Sequence, residues 1–268
     1  MATTSPRNAE SPHDPQDLGQ RPQAATTGVD PITVEVLRNA FNAIADEMNA
    51  NLVRSAYSPI IYDMKDCSVA LFNERVELLG QSPGLPIFLA ALDEAVRVVR
   101  DHVGLENFDK GDVYVINDPY LTGSHLNDVT VISPVFYDGS VVGFAATKAH
   151  WMDMGGKDAS VSIDTTEIYQ EGLRLGPTRV VAGGQMVGDI VDILMRNSRL
   201  PKALFGDMSA QIAACRTGER RYAEIIDRFG LSVVRAATER IFALAEKADR
   251  AVIATFPEGE YVADGYLD

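Results

Sequence analysis

The stretch Val129-Thr130-Val131-Ile132-Ser133-Pro134-Val135-Phe136-Tyr137-Asp138-Gly139-Ser140-Val141-Val142-Gly143-Phe144-Ala145-Ala146-Thr147-Lys148-Ala149-His150-Trp151 reads as two strands around a tight turn. Asp138-Gly139 fill the two central turn positions, where a hairpin needs residues that tolerate positive φ. The expected strands are Val129 to Phe136 and Val141 to about Trp151, with Val113-Tyr114-Val115-Ile116 as another. The middle of the chain is therefore β-rich and antiparallel.

With Asp138-Gly139 as the turn, His150 pairs with Asn127 and Met152 with His125. Alternation then sets His125 and His150 on one face as diagonal neighbours, within reach of a shared ion. Asp128 falls on the opposite face. It joins the histidines only if the ladder bulges between Leu126 and Asp128, and that bulge is expected. Two imidazoles and a carboxylate suit Zn²⁺, Mn²⁺ or Fe²⁺ and leave positions for water and substrate. Such an ion acts as a Lewis acid or lowers the pKa of its water. Asp66, Asp118, Asp153 and Asp158 are candidates for a fourth ligand, a base or a group that orients a ligand. The plain alternative is that a histidine ending a strand only hydrogen-bonds.

On the N-terminal side, Asp30-Pro31 is an N-cap followed by proline at the first helical position. Val34, Leu37, Phe41, Ile44, Ala45, Met48 and Leu52 recur at helical spacing, predicting a helix of about 25 residues that ends near Ser58-Pro59. Cys67 to Phe72 and Val76 to Leu79 read as strands around Asn73-Glu74-Arg75. Ile87 to about His102 reads as a second helix. Beyond Gly188 the pattern turns helical, with Leu204, Met208, Ile212, Cys215, Tyr222 and Ile225 on one long helix and Val233 to Ala254 on another. Glu260 to Asp268 reads as a strand and turn without a return strand, so the chain is expected to be an N-terminal portion of something longer.

The fold class is thus α+β: a long N-terminal helix, a central antiparallel sheet region bearing the metal site (about 30–187), a helical part (about 188–256) and an incomplete strand (257–268). Residues 1–29 hold Pro6, Pro12, Pro15 and Pro22 among Ser, Thr and Gln, and are expected to be a disordered tail in which His13 is inert.

The 268 residues carry 24 Lys+Arg against 38 Asp+Glu, a net charge of −14. That balance excludes a nucleic-acid or anionic-membrane surface, which needs clustered cations. No apolar run reaches the roughly 18 residues of a membrane span. No secretory leader is evident, and the two cysteines, Cys67 and Cys215, read as buried thiols of a cytoplasmic protein. Gly155-Gly156-Lys157 and Gly183-Gly184 lack P-loop spacing, so any nucleotide site belongs to another subunit. Ser124 is a weak nucleophile candidate, His102 a helix-dipole partner, and Glu219-Arg220-Arg221 a solvated helix face.

The same residues resemble the hydantoinase B/oxoprolinase family. The resemblance is carried by Asp30-Pro31-Ile32-Thr33, Tyr62-Asp63-Met64-Lys65-Asp66-Cys67-Ser68, Asn117-Asp118-Pro119-Tyr120 through Asp128, and His150 with Asp153 and Gly155-Gly156. Further blocks are Glu167 to Arg174, Asn197-Ser198-Arg199 and Gly206 to Gln211. The family includes ATP-dependent hydantoinases and 5-oxoprolinases, lactam hydrolases and subunits of acetone and acetophenone carboxylases. The resemblance implies a divalent metal on His125, Asp128 and His150, with Asp66 as fourth ligand or catalytic carboxylate and Asp153 as a second catalytic carboxylate. It also implies a hetero-oligomer with a nucleotide-binding hydantoinase A-type subunit. That partner would use ATP to phosphorylate the carbonyl oxygen of a cyclic amide, which metal-bound water then attacks. The alternatives are a ketone carboxylase subunit and a structural subunit without chemistry. The chain departs from the family at Leu85-Pro86-Ile87-Phe88-Leu89, where many members have a histidine. It departs again at Asp158-Ala159-Ser160, which replaces Pro-Gly-Ser.

Overall fold

A computed structural model describes residues 28–265. The expected tail, apart from Gly28 and Val29, lies outside the described residues. Order begins where Asp30 caps α1 (Pro31–Ser55), its carboxylate accepting from the amides of Ile32 and Thr33 at 3.0 and 3.1 Å. The predicted stripe Val34, Leu37, Phe41, Ile44, Ala45, Met48 and Leu52 is buried. A single turn, α2 (Pro59–Tyr62), leads into β1 (Cys67–Asn73) and β2 (Leu78–Gln81). The Asn73 side chain accepts from the amides of Arg75 and Glu77 and shapes the turn between them.

Next come α3 (Pro86–Val103), β3 (Val113–Ile116), the one-turn α4 (Pro119–Thr122), β4 (Asp128–Tyr137) and β5 (Ser140–His150). Two short strands, β6 (Thr178–Ala182) and β7 (Gln185–Met186), turn at Gly183-Gly184 and are not signalled by periodicity. Helices α5 (Gly188–Arg196), α6 (Pro201–Phe229) and α7 (Leu231–Ile253) follow. Residues 257–265 form no strand. An extended segment counts as a strand only when a partner completes its ladder, and none does so here among the described residues.

The seven strands form one antiparallel sheet in the order β2-β1-β5-β4-β3-β6-β7. Alternation divides its residues between two cores. Val69, Leu71, Val129, Val131, Ala145 and Ala149 pack with the stripe of α1 and with α6. Ala70, Phe72, Ile132, Phe144 and Ala146 pack with Leu92, Val96 and Val99 of α3. Gly218 lets α6 approach α1, because a Cβ there would lie 2.6 Å from Met48 Sδ. No helix among the described residues is long and apolar enough to cross a membrane.

The turn at Asp138 (φ 47°) and Gly139 (φ 76°) is the one predicted, but the register beyond it is not. Pairing starts as Tyr137↔Ser140 and Phe136↔Val141, then slips to Val135↔Gly143, so Val142 is the extra residue of a bulge. The expected bulge between Leu126 and Asp128 is replaced by this one near the turn. Pro134, which has no amide to donate, and Gly143, whose Cβ would stand 2.3 Å from the Phe72 carbonyl oxygen, flank it. The Glu219 expectation also fails. Its carboxylate turns toward the sheet and accepts from Ser133 Oγ and from Arg216 at 2.8 Å, while Arg220 and Arg221 pair at the surface with Glu47 and Glu224.

Candidate metal centre

The bulge decides where Asp128 points. From Val135 back to Asp128 each β4 residue pairs one position further along β5 than the tight turn alone dictates, which sets Asp128 directly opposite His150. Cross-strand partners share a face, so carboxylate and imidazole meet at the end of the ladder. His125 is not a strand residue. It sits in the loop after α4, where its carbonyl accepts from the Asp128 amide at 3.0 Å. Asp66 precedes β1, and its carbonyl accepts the His150 amide at 3.1 Å. Three separate segments thus converge on one spot.

The Nδ1 atoms of His125 and His150 stand 3.5 and 3.4 Å from Asp128 Oδ1, and the two rings meet edge to face with centroids 5.1 Å apart. One ligand atom from each of the three residues lies within 4.8 Å of the others. Asp66 approaches from one side, with Oδ2 3.9 Å from His150 Nδ1, and stands outside that tight group. Among the buried polar atoms without a hydrogen-bond partner are His125 Nδ1, Asp128 Oδ1, His150 Nε2, Asp66 Oδ1 and Ser124 Oγ. Buried polar atoms are ordinarily paired, so unpartnered polar atoms on His125, Asp128 and His150, which converge on one spot, call for a shared partner. Two ligands about 2.1 Å from a tetrahedral ion are about 3.4 Å apart, which matches the imidazole–carboxylate spacings. The donor set fits a divalent transition metal.

Buried amides hold this irregular loop. Asn117 Nδ2 donates to the carbonyls of Leu126 (2.7 Å) and Leu173 (3.0 Å), and its Oδ1 accepts the Leu175 amide. Asn127 Nδ2 donates to the Trp151 carbonyl, and the Asn127 carbonyl accepts the Trp151 amide, both at 2.7 Å. Gln211 of α6 accepts from Trp151 Nε1 at 2.6 Å and donates to Val129 O and to Thr147. The residues on either side of the candidate ligands are therefore locked by hydrogen bonds between segments. Spacing along the sequence gives none of these three amides a role, because each acts on partners far away in the chain.

Asp153 is not brought to the cluster. Its buried carboxylate accepts from Arg199 Nη1 at 2.9 Å, from the Arg199 amide and from the Gly155 amide. With both oxygens engaged, it ties the Gly155-Gly156 loop to the start of α6 and has no free lone pair directed at a substrate. Asp118 caps α4 and pairs with Arg174 at 3.6 Å, and Asp158 accepts from Ser162 at the surface. Lys148, two residues before His150 on the same face, has no role assigned from the sequence. It is fully buried, and burial pushes its ammonium down to about 8, with Asp128 pulling the other way.

Burial pushes the His125 imidazole below the ordinary histidine range, against the pull of Asp128. Burial also pushes the Asp66 carboxyl up, partly offset by His150. The sign for His125 follows directly. Below about pH 6.5 the unfolded chain takes a proton that folded His125 declines, so the metal-free protein loses stability as pH falls through that range. Melting the metal-free protein between about pH 7.5 and 5.5 is expected to show a smaller loss for His125→Gln than for wild type. An identical loss in both would contradict the assignment.

The sequence model of the Hydantoinase B/oxoprolinase family matches residues 30–268. This chain belongs to that family. It is 38% identical over 245 residues to the B-type subunit of a putative D-/L-hydantoinase from Pseudomonas sp. (strain NS671), covering 90% of this chain and 41% of that one. It is 36% identical over 241 residues to the beta subunit of the caprolactamase of Pseudomonas jessenii, with the same coverages. The crystal structure of the ATP-dependent caprolactamase from that organism superposes with a TM-score of 0.80 over 86% of this chain and 40% of that one. A nucleotide-free acetone carboxylase shares the fold at a TM-score of 0.73 and 20% identity, over 78% of this chain and 28% of that one. The chain thus spans about two fifths of the length of these two curated relatives.

Proposed function

We propose that this chain is the metal-holding subunit of a cytoplasmic, ATP-dependent hydrolase of cyclic amides such as hydantoins, 5-oxoproline or lactams. It would work in a hetero-oligomer with a hydantoinase A-type subunit that binds ATP. The observation that carries the reading is the group His125, Asp128 and His150, whose ligand atoms lie within 4.8 Å of one another with Asp66 beside them. Its context supports it, because the relatives are named as the B-type subunit of a hydantoinase and the beta subunit of a caprolactamase.

The energetic logic is that amide resonance makes the carbonyl a poor electrophile, and phosphorylating its oxygen on the partner removes that resonance. A divalent ion, when bound, supplies Lewis acidity and lowers the pKa of water. The chain's own residues do the rest. The depressed His125 keeps its lone pair free at neutral pH. Asp128 is fixed by its strand pairing and offers a carboxylate oxygen that no hydrogen bond occupies. Asp66, whose carboxyl is raised by burial and whose Oδ1 is unpartnered, accepts the proton released by attacking water and returns it to the nitrogen as the C–N bond breaks. A second water then releases the phosphoryl group of the resulting acyl phosphate as inorganic phosphate. Asp153 positions the Gly155-Gly156 loop beside this site.

With the partner co-expressed, ATP turnover is expected to rise with hydantoin, 5-oxoproline or caprolactam and not with acetone or acetophenone. Stimulation by the ketones alone would overturn hydrolysis in favour of carboxylation.

A further inference from the structure

We propose that Lys148 and Thr130 form an oxyanion-binding row beside the ligand cluster, which takes the phosphoryl or carboxylate oxygens of the substrate; the identity of that substrate rests on the hydrolase reading above.

The sheet face that meets α3 is built in rows. At the ladder end stand Asp66, His150 and Asp128. Two residues inward on the same face, Ser68, Lys148 and Thr130 lie side by side across β1, β5 and β4. Two residues further in come Ala70, Ala146 and Ile132, which belong to the apolar core under α3. The face therefore passes from ligand cluster to a row with a cation at its centre, and then to hydrocarbon. Successive same-face rows are about 7 Å apart, little more than the length of a lysine side chain.

Lys148 and Thr130 are both 0% exposed, and neither Nζ nor Oγ1 has a hydrogen-bond partner. An ammonium carries three donors. The neighbouring Ser68 hydroxyl donates to the Leu85 carbonyl at 3.3 Å and forms no bond with the ammonium. On the helix side the cation meets the face of Phe88, with Nζ 5.7 Å from the ring centroid. Asp128, on the same face of the sheet, attracts it. Buried charges are normally paired and buried hydroxyls normally bonded, yet a cation and a donor hydroxyl stand unsatisfied side by side. A methionine or leucine would fill the same space without that penalty. Asp128 attracts the cation but forms no hydrogen bond with it, so an acceptor-rich oxyanion entering between the rows satisfies both Lys148 and Thr130.

The position also suits the chemistry. A substrate whose reacting carbon lies at the cluster carries its oxygen substituents within a few bonds of that carbon. A phosphoryl group on the former carbonyl oxygen, or a carboxylate on the ring, then comes within reach of a cation one row inward. The residues on the far side of Lys148 are apolar and cannot compete for it.

The test uses the full-length chain stripped of metal by a chelator, so that no anion is read through an ion. Wild type, Lys148→Met and Thr130→Val are titrated calorimetrically with inorganic phosphate and, separately, with acetate. Wild type is expected to bind at least one of the two. Lys148→Met is expected to weaken that binding at least tenfold. Thr130→Val, nearly isosteric, is expected to weaken it about threefold and keeps the test decisive if Lys148→Met does not fold. A preference for phosphate assigns the row to a phosphoryl group, and a preference for acetate assigns it to a carboxylate. No binding to wild type, or equal affinity in wild type and variants, overturns the proposal. Because the titration is metal-free, it can fail while metal loading succeeds, or succeed while metal loading fails.

Discussion

His150→Ala is expected to abolish turnover of the assembled enzyme, by about a thousandfold or more, while leaving subunit assembly intact. His150 ends β5 opposite Asp128, so its removal takes one of three close donors from the cluster. Charge stabilisation by a catalytic metal is worth several kcal/mol, and each 1.4 kcal/mol corresponds to about tenfold in rate. The fold should survive, because the side chain makes no hydrogen bond through Nε2 and lies at the end of the ladder, not in either apolar core. Circular dichroism and co-purification with the partner check the fold and the assembly, and a steady-state assay checks the rate. A purely structural subunit predicts the opposite, with unchanged turnover.

Gln211→Ala should be the most damaging single change outside the cluster. The side chain is fully buried between α6 and the sheet. It accepts from Trp151 Nε1 and donates to the Val129 carbonyl, the Thr147 carbonyl and Thr147 Oγ1. Truncation leaves the indole N–H unpaired in an apolar layer and opens a cavity beside Met208 and Cys215, at a cost of about 3–5 kcal/mol. Trp151 follows His150, so metal affinity should fall with stability. Chemical denaturation and competitive metal titration measure the two effects. A loss below about 1 kcal/mol would show that the amide network does not hold the site.

Much of this was legible because local patterns carry it. Asp30-Pro31 and the stripe from Val34 to Leu52 specify α1 by capping and periodicity, and Asp138-Gly139 specify their turn by φ alone. The convergence of His125 and His150 was also readable, since a hairpin returns its far ends to one another. The device that brings Asp128 in was not. A bulge at Val142 depends on how Gly143 fits against β1 and Tyr222 against the sheet, which are contacts between segments far apart in sequence. Thr178–Ala182 and Gln185–Met186 are too short for alternation to stand out, although the paired glycines between them marked the turn. Asp153 attracts a catalytic reading through its neighbourhood to His150, but Arg199, distant in sequence, claims its carboxylate. Lys148 did leave a signal. It interrupts the run Phe144, Ala146, Lys148, His150 on one face with a charge where the pattern calls for hydrocarbon.

Central to the proposed chemistry is one ion held by His125, Asp128 and His150, with Asp66 beside them. Elemental analysis of the purified chain tests this directly. One equivalent of Zn, Mn or Fe per chain is expected in wild type, falling to background in His125→Ala with Asp128→Ala. A wild-type protein without stoichiometric transition metal, or a double variant that retains it, would contradict the shared ion.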